Sequence, residues 1–497
     1  MHGLAAFCSI APLLAAVALL SWPSFAFPQD TQTSSPSEAP ETLNNAPESE
    51  DVRESKPEAP IPPAKPHLYS TSRSPATNRV ADRPRYAKTF DQLFGIEGLS
   101  WLEAGAQVRS RYEYREDFPR ELFDSSGQYL LRTRGYAGIR GVTDPLRMAF
   151  EFQDSRRYDS DFNENTRTVN EVDIEQLFGE FYFDDAVAAQ PLSLRGGRMS
   201  FDAVDRRLMA RNRFRNTTNA FDGGRVRVGN NETPWELDFF ITRPVERKPR
   251  ELDGVDDERT FGGAHSYFRF ASIKTTIEPY YFFLEDARKD PTRRDRSIHT
   301  IGGHNFGLFG DSGFHWDTDG AFQVGKSGDG DHLAFAAHAE LGYSFDLAWK
   351  PKLSAWFNYA TGDRDPNDDD DDRFDSMFGA AHTFYGFTDA VSWQNLINPA
   401  AHASARPLKG LRLDAFYRAY WLASDKDSFV RARISDPTGS SGSFVGQEID
   451  FRLRYKLLKR VDFDLGYGLF IAEEFTRNLT PGVSTSELAY ASIQLTL

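Results

Sequence analysis

Arg206, Arg207, Arg211, Arg213 and Arg215 crowd into one short run with few acids among them. They lie inside Arg195–Val228, which reads RGGRMSFDAVDRRLMARNRFRNTTNAFDGGRVRV. A guanidinium is a permanent cation, and its planar fork grips a carboxylate through two hydrogen bonds. The chemistry these residues offer is therefore recognition of anions. A run this basic cannot face lipid, because each guanidinium would lose its hydration. The flanks, Leu192–Phe201 and Phe221–Gly229, read as short strands. The run between them reads as a loop that carries charge to a place where it is used; a solvated basic surface loop is the plainer alternative.

Other residue types offer less. Seven histidines (His265, His299, His304, His315, His332, His338 and His382) are candidate bases. No serine sits in a G-x-S-x-G elbow, and no histidine pair has metal-site spacing on a credible helix, so an outer-membrane enzyme is the weaker reading. The single cysteine, Cys8, lies near the N-terminus. The acidic stretch Asp363–Asp375 places Asp363, Asp365 and Asp368 close together, and calcium favours such oxygen ligands. It lacks the ordered spacing of a calcium loop, so a solvated acidic loop is preferred, and no metal site or other cofactor is expected. Nothing in the chain points to nucleic acid.

The elements that position the arginines follow from composition and periodicity. The chain has 497 residues, with 41 Phe and 19 Tyr but only 5 Met, and a net charge of −15. Its mean hydropathy of −0.54 excludes a helical membrane protein. A transmembrane β-barrel can be this polar, since only alternate residues of each strand meet lipid. Residues 1–26 read as a secretory signal: Leu13–Leu20 is apolar, and Ser24, Phe25 and Ala26 form a small-x-small cleavage site. Cleavage there would remove Cys8 and with it any disulfide or thiolate chemistry. Residues 27–89, rich in Pro, Ser, Glu and Thr, read as a disordered periplasmic linker with little to bury. Asp91–Leu99 reads as a short plug or lead-in, and residues 90–497 as the barrel.

From Leu99 the period is two. In Ser100–Arg115, Leu102, Ala104, Ala106, Val108, Tyr112 and Tyr114 share one face. Glu103, Gln107, Arg109, Arg111, Glu113 and Arg115 share the other. Such alternation is a strand signal. About eighteen segments of this kind follow, separated by short turns and long polar loops in alternation, as in a bacterial outer-membrane barrel. The expected fold is all-β: an antiparallel transmembrane barrel with short periplasmic turns, long extracellular loops and an aqueous lumen. The segment around Ser392–Arg406 is the weakest of the set.

With the apolar faces given to lipid, the inner faces carry Arg109, Arg111, Arg132, Arg134, Arg140, Arg225, Arg227, Arg412, Arg418, Arg452 and Arg454. They also carry Glu103, Glu113, Glu180, Glu236, Asp238, Asp414, Glu448 and Asp450. Opposite charges on neighbouring strands pair readily, so most of these residues are expected to brace the wall. A subset with surplus arginine, chiefly Arg132, Arg134, Arg198, Arg225 and Arg227, is expected to meet the cargo. The net negative charge does not oppose this, because lining charges set the potential in a narrow channel.

Three separated blocks carry a family resemblance. The first holds Gly197-Arg198, Phe201-Asp202, Arg207-Leu208, Arg211-Asn212 and Phe221-Asp222-Gly223 with Arg225. The second is FNYATGDRDPND (Phe357–Asp368), FGAAHTFYGFTD (Phe378–Asp389) and WQNLINP (Trp393–Pro399); the third is GQEIDFRLRYK (Gly446–Lys456). In this order they resemble the alginate-export family of outer-membrane barrels. The resemblance implies a monomeric barrel, embedded in outer-membrane lipid and lipopolysaccharide, that exports an anionic, uronate-containing polysaccharide. It also implies periplasmic secretion scaffold proteins as partners. Matched by position, it extends the substrate path to Arg198, Arg207, Arg211 and Arg225, beside Arg132, Arg134, Arg227, Arg418, Arg452 and Arg454 from the inner faces. Asp202, Asp222, Asp389 and Asn395 are expected to support the pore by orienting arginines or capping loops. A general porin for small anions or sugars is the nearest alternative, and a rigid adhesin barrel a more distant one.

Overall fold

The computed structural model describes residues 83–117, 126–160, 164–288 and 295–497. The expected signal, 1–26, and most of the expected linker lie outside the described residues.

Eighteen antiparallel strands form the wall. The first nine are β1 (Leu102–Glu116), β2 (Ser126–Ile139), β3 (Leu146–Tyr158), β4 (Asn170–Val187), β5 (Gln190–Met199), β6 (Phe221–Val228), β7 (Trp235–Glu246), β8 (Arg259–Phe270) and β9 (Thr275–Asp286). The second nine are β10 (Arg296–Leu308), β11 (Phe314–Ser327), β12 (Gly330–Ser344), β13 (Lys352–Ala360), β14 (Leu396–Ala405), β15 (Leu411–Trp421), β16 (Phe444–Leu458), β17 (Val461–Ala472) and β18 (Thr485–Thr496). Each pairs with its sequence neighbour, and β1 pairs with β18 from Gln107↔Thr496 to Glu116↔Glu487, closing the barrel. Closure leaves no long sheet edge in the lipid zone, where unpaired backbone groups could find no partner.

The alternation of residue types explains the wall. Along β12, His332, Ala334, Ala336, His338 and Glu340 are buried, while Leu333, Phe335 and Leu341 are exposed. In a soluble protein that order would be inverted. Here the exposed side is the lipid side, and Phe150, Phe181, Phe239, Ile241, Ile301, Phe322, Phe357 and Phe451 continue the apolar belt on other strands. Trp349, Leu347, Leu408 and Leu458 are exposed at or beside the turns of the short-turn rim.

Connections at the periplasmic rim are short, such as 188–189 and 459–460. Those at the extracellular rim are mostly long, notably 200–220, 361–395 and 422–443. Residues 328–329 are an exception, a tight extracellular hairpin. The 361–395 loop leans over it: Asp331 N–H donates to Asp370 Oδ1 at 2.8 Å, and Asp371 N–H donates to the Asp331 carbonyl at 2.9 Å. Strand β14 begins at Leu396, so Ser392–Asn395 belong to the loop rather than to the strand expected there. A single-turn helix, Glu474–Leu479, which period-two reading does not detect, sits in the loop before β18.

The lumen is not left open above. Loops 200–220 and 361–395 fold inward and meet through a bridge between Met209 and Phe378. Phe201, Leu208, Met209, Phe221, Phe384 and Trp393 form part of an apolar cluster inside the barrel. Phe201 meets Phe240 edge-on at 5.3 Å, and Phe221 meets Phe378 at 5.2 Å. The arginine run therefore rides on a loop packed within the pore, not on a solvated surface loop.

Candidate functional site: a basic lumen

Below these loops lies a cavity of about 800 Å³. It extends from the loop tips at Arg213, Phe214 and His382 to Lys459 and Arg460 at the periplasmic rim. Eighteen Arg and Lys side chains line it against four aspartates, Asp389, Asp414, Asp462 and Asp464. Strands β1 and β2 supply Arg109, Arg111, Arg132 and Arg134; the 200–220 loop supplies Arg206, Arg211, Arg213 and Arg215. Arg412, Arg452, Arg454 and Lys456 come from β15 and β16, and Arg431 from the 422–443 loop.

The wall arginines of β1 and β2 hold the loop by its backbone. Arg109 donates to the carbonyls of Arg213 at 3.0 Å and Arg215 at 2.8 Å. Arg132 donates to the same two carbonyls at 3.3 and 3.2 Å, and Arg111 donates to that of Phe214. Arg134 donates to Gln153 at 2.9 Å and Thr218 at 2.8 Å, and lies 3.3 Å from Glu175. A carbonyl satisfies a guanidinium's N–H groups without cancelling its charge. Arg211 is the loop's ionic anchor: it pairs with Glu175 and lies 3.6 Å from Glu151. Burial works against its charge, but the two carboxylates win and raise its pKa. Arg215 has the reverse environment. Burial, then the fields of Arg167 and Arg247, pull its pKa well below the ordinary value.

Phe214, on the 200–220 loop, is clamped between the wall and the 361–395 loop. The guanidinium of Arg111 lies over its ring at 4.2 Å, and His382 stacks parallel to it. Burial lowers the pKa of His382 despite the nearby carboxylate of Asp389, 3.6 Å away.

Of the ten arginines expected on the substrate path, Arg132, Arg134, Arg211, Arg452 and Arg454 line the cavity. Arg452 also pairs with Asp464 at 2.9 Å, and Arg454 with Asp414 at 3.0 Å. The other five lie elsewhere. Arg198 forms a two-pronged bond to Asp222 at 2.8 and 2.9 Å. Arg225 pairs with Asp238 at 2.9 Å and Arg227 with Glu236 at 2.9 Å. Register is the cause: β7 lies beside β6 and brings its acids opposite or diagonal to these cations. Arg207 is buried where the two inward loops meet, with Asp205 at 2.5 Å, and its N–H donates to Tyr385 at 3.0 Å. Arg418 is fully buried on Asp450 and donates to the Thr383 carbonyl at 2.9 Å.

Asp202 accepts from Arg211 N–H at 2.7 Å and pairs with Arg213 at 2.8 Å. Burial raises the pKa of its carboxyl, but Arg213 and Arg206 outweigh burial and leave it below the ordinary value. Asn395 ties two loops together: its Oδ1 accepts from Ser424 N–H at 2.8 Å, and its Nδ2 donates to the Ser424 and Ser428 carbonyls at 3.0 and 3.2 Å. Arg109 and Arg111 share the alternating face of Glu103 and Glu113, a signal that already placed them inside. Arg431 follows no pattern in its loop, and Arg83, Arg85 and Lys88 lie in the stretch read as linker.

The acidic stretch Asp363–Asp375 spends its carboxylates on its own backbone. Asp365 and Asp368 turn back to accept from the N–H groups of Asn367 and Asp370 at 3.2 and 3.1 Å. Burial and the nearby Asp427 raise Asp363 to about 6. Among the described residues no three His, Cys, Asp or Glu side chains form a group that could hold a metal ion. The candidate bases are also built into the structure. His304 is fully buried between Glu278 and Asp317, each at 2.8 Å.

A closed eighteen-stranded barrel, apolar outside, charged within and holding a basic cavity, has the build of an outer-membrane transport channel. The chain belongs to the alginate export family, whose sequence pattern matches residues 100–489. No curated protein matches it by sequence. Solved barrels match the fold. Acinetobacter baumannii OccAB3 superposes with a TM-score of 0.56 at 11% identity, over 80% of this chain and 99% of its own. Pseudomonas aeruginosa OccK2 (OpdF) in complex with glucuronate gives 0.54 at 11%, over 80% and 98%. Pseudomonas aeruginosa OpdK with vanillate gives 0.54 at 12%, over 80% and 98%. At these identities the likeness establishes the fold alone.

Proposed function

We propose that the channel exports an anionic, uronate-bearing polysaccharide across the outer membrane along its arginine-lined lumen. The observation that carries this reading is the cavity lining of eighteen cations against four aspartates. A polymer with a carboxylate on successive sugars needs repeated weak contacts, because one tight site would stall it. Arginines satisfied by backbone carbonyls supply such contacts. The same reading includes a secretory signal at 1–26, a periplasmic linker within 27–89, a monomeric barrel in contact with lipopolysaccharide, and periplasmic scaffold proteins that deliver the polymer.

Single-channel conductance of the full mature chain in a planar bilayer tests the proposal, under a salt gradient and with added oligouronate. The expected result is anion selectivity with block by oligouronate that weakens as salt rises. An open pore that prefers cations or ignores oligouronate would overturn the cargo and leave a general porin or an exporter of neutral glycan.

A further inference from the structure

Residues 83–89 do not belong to the barrel, yet they help build its periplasmic mouth. Lys88 and Thr89 pair antiparallel with Ala104 and Glu103 of β1. At that level β1 has no β18 partner, since their pairing begins at Gln107. The preceding residues lie against the lumen side of Gly105. A Cβ at Gly105 would sit 2.6 Å from the Tyr86 carbonyl oxygen and 2.7 Å from the Ala87 Cα, so only glycine leaves room for the segment. Tyr86 and Ala87 are each 4% exposed. The Tyr86 hydroxyl donates to Glu151 of β3, and Arg83 pairs with Glu103 at 2.6 Å. Ala87 N–H donates to the Pro84 carbonyl at 2.9 Å, closing a turn with Arg85 at its exposed tip.

The division of side chains is informative. A segment that only stopped the pore would fill it with neutral bulk. This one buries Tyr86 and Ala87 and sets Arg85 and Lys88 on the lining of the basic cavity. Lys456, Lys459 and Arg460 line the same cavity at its periplasmic end. We infer that residues 83–89 form the intake subsite of the channel, where Arg85 and Lys88 take the first carboxylates of a polyanion arriving from the periplasm. This inference rests on the export reading above. It adds that specificity at the mouth is set by a segment outside the barrel wall, held in register by Gly105 and Tyr86.

The test compares oligouronate block from the two sides of an oriented bilayer, using the full mature chain with heat-modifiable gel mobility as the check of folding. The double variant Arg85→Gln/Lys88→Gln keeps the segment and removes its charge. Gly105→Val removes the room for the segment and keeps the barrel's own charges. Both should slow block from the periplasmic side about five- to tenfold, as loss of local steering charge does, and leave block from the extracellular side nearly unchanged. Equal periplasmic block rates in wild type and the charge-free double variant would overturn the intake subsite and leave the export reading standing. Absence of block in the wild type from either side would overturn both.

Discussion

Arg211→Met is the sharpest perturbation of the inward loop. In the native barrel the Arg211 guanidinium sits between Glu175 and Glu151 and ties residues 200–220 to the wall. Methionine carries no charge, so two buried carboxylates lose Arg211 and are left with Arg134 alone, 3.3 Å from Glu175. Breaking a buried ion pair from one side costs about 3–5 kcal/mol. The remaining anchors include the bonds from Arg109, Arg111 and Arg132 to loop carbonyls, those of Arg134 to Thr218 and Ser155 to Asn216, and the apolar packing of Leu208 and Met209. The docked state should therefore weaken by roughly a hundred- to several-thousandfold without vanishing. The wall does not depend on Arg211, so the barrel stays closed. An eighteen-stranded barrel freed of its loop is a wide aqueous pore. Single-channel records of Arg211→Met should show frequent steps to a higher conductance level that the wild type visits rarely. Adding Glu175→Gln leaves Arg134 as the partner of a single carboxylate, Glu151, and should restore much of the closed time. Wild-type conductance and dwell times in a folded Arg211→Met barrel would refute the reasoning and assign the holding of the loop to the Leu208–Met209 cluster instead.

Two further outcomes follow from the loops. Burial and the facing Asp173 raise the carboxyl of Asp253, in the extracellular loop 247–258, from 3.8 to about 7, so the docked loop holds this proton more tightly than the free loop does. Its contribution to docking is complete below about pH 4 and is lost as pH rises through about 7. Protease cleavage within 247–258 should be slower at pH 5 than at pH 8.5, and Asp253→Asn should flatten that difference; a flat wild-type profile would refute the shift. Asn395→Ala removes three hydrogen bonds joining loops 361–395 and 422–443 and puts alanine at a φ of 44°. The cost is about 1–3 kcal/mol, read as a lower temperature for the heat-modifiable gel shift with nicking at both loops; an unchanged shift would show that the loops stand without the Asn395 link.

The wall was legible because lipid imposes a rule on every second residue. Leu333, Phe335 and Leu341 had to face out, so His332, His338 and Glu340 had to face in, and the chain states this without any long-range information. The same rule put Arg109, Arg132, Arg225 and Arg227 on inner faces but could not say which would keep an uncompensated charge. That depends on what lies across the lumen. Arg225 and Arg227 meet Asp238 and Glu236, and a carboxylate cancels the field of the guanidinium it binds. Arg109 and Arg132 meet the carbonyls of Arg213 and Arg215, which accept hydrogen bonds and leave the charge in place. Loop 200–220 was readable as basic, but its docking was not, because its partners lie far away in sequence. Residues 83–89 carried still less signal, since Tyr86 gains its meaning only beside Gly105 and Glu151. The basic lumen therefore does not come from the number of arginines in a chain whose net charge is −15. It comes from wall arginines such as Arg109 and Arg132 that meet backbone carbonyls, while Arg111 and Arg134 beside them keep carboxylate partners in Glu113 and Glu175, so that positive potential is concentrated in the cavity.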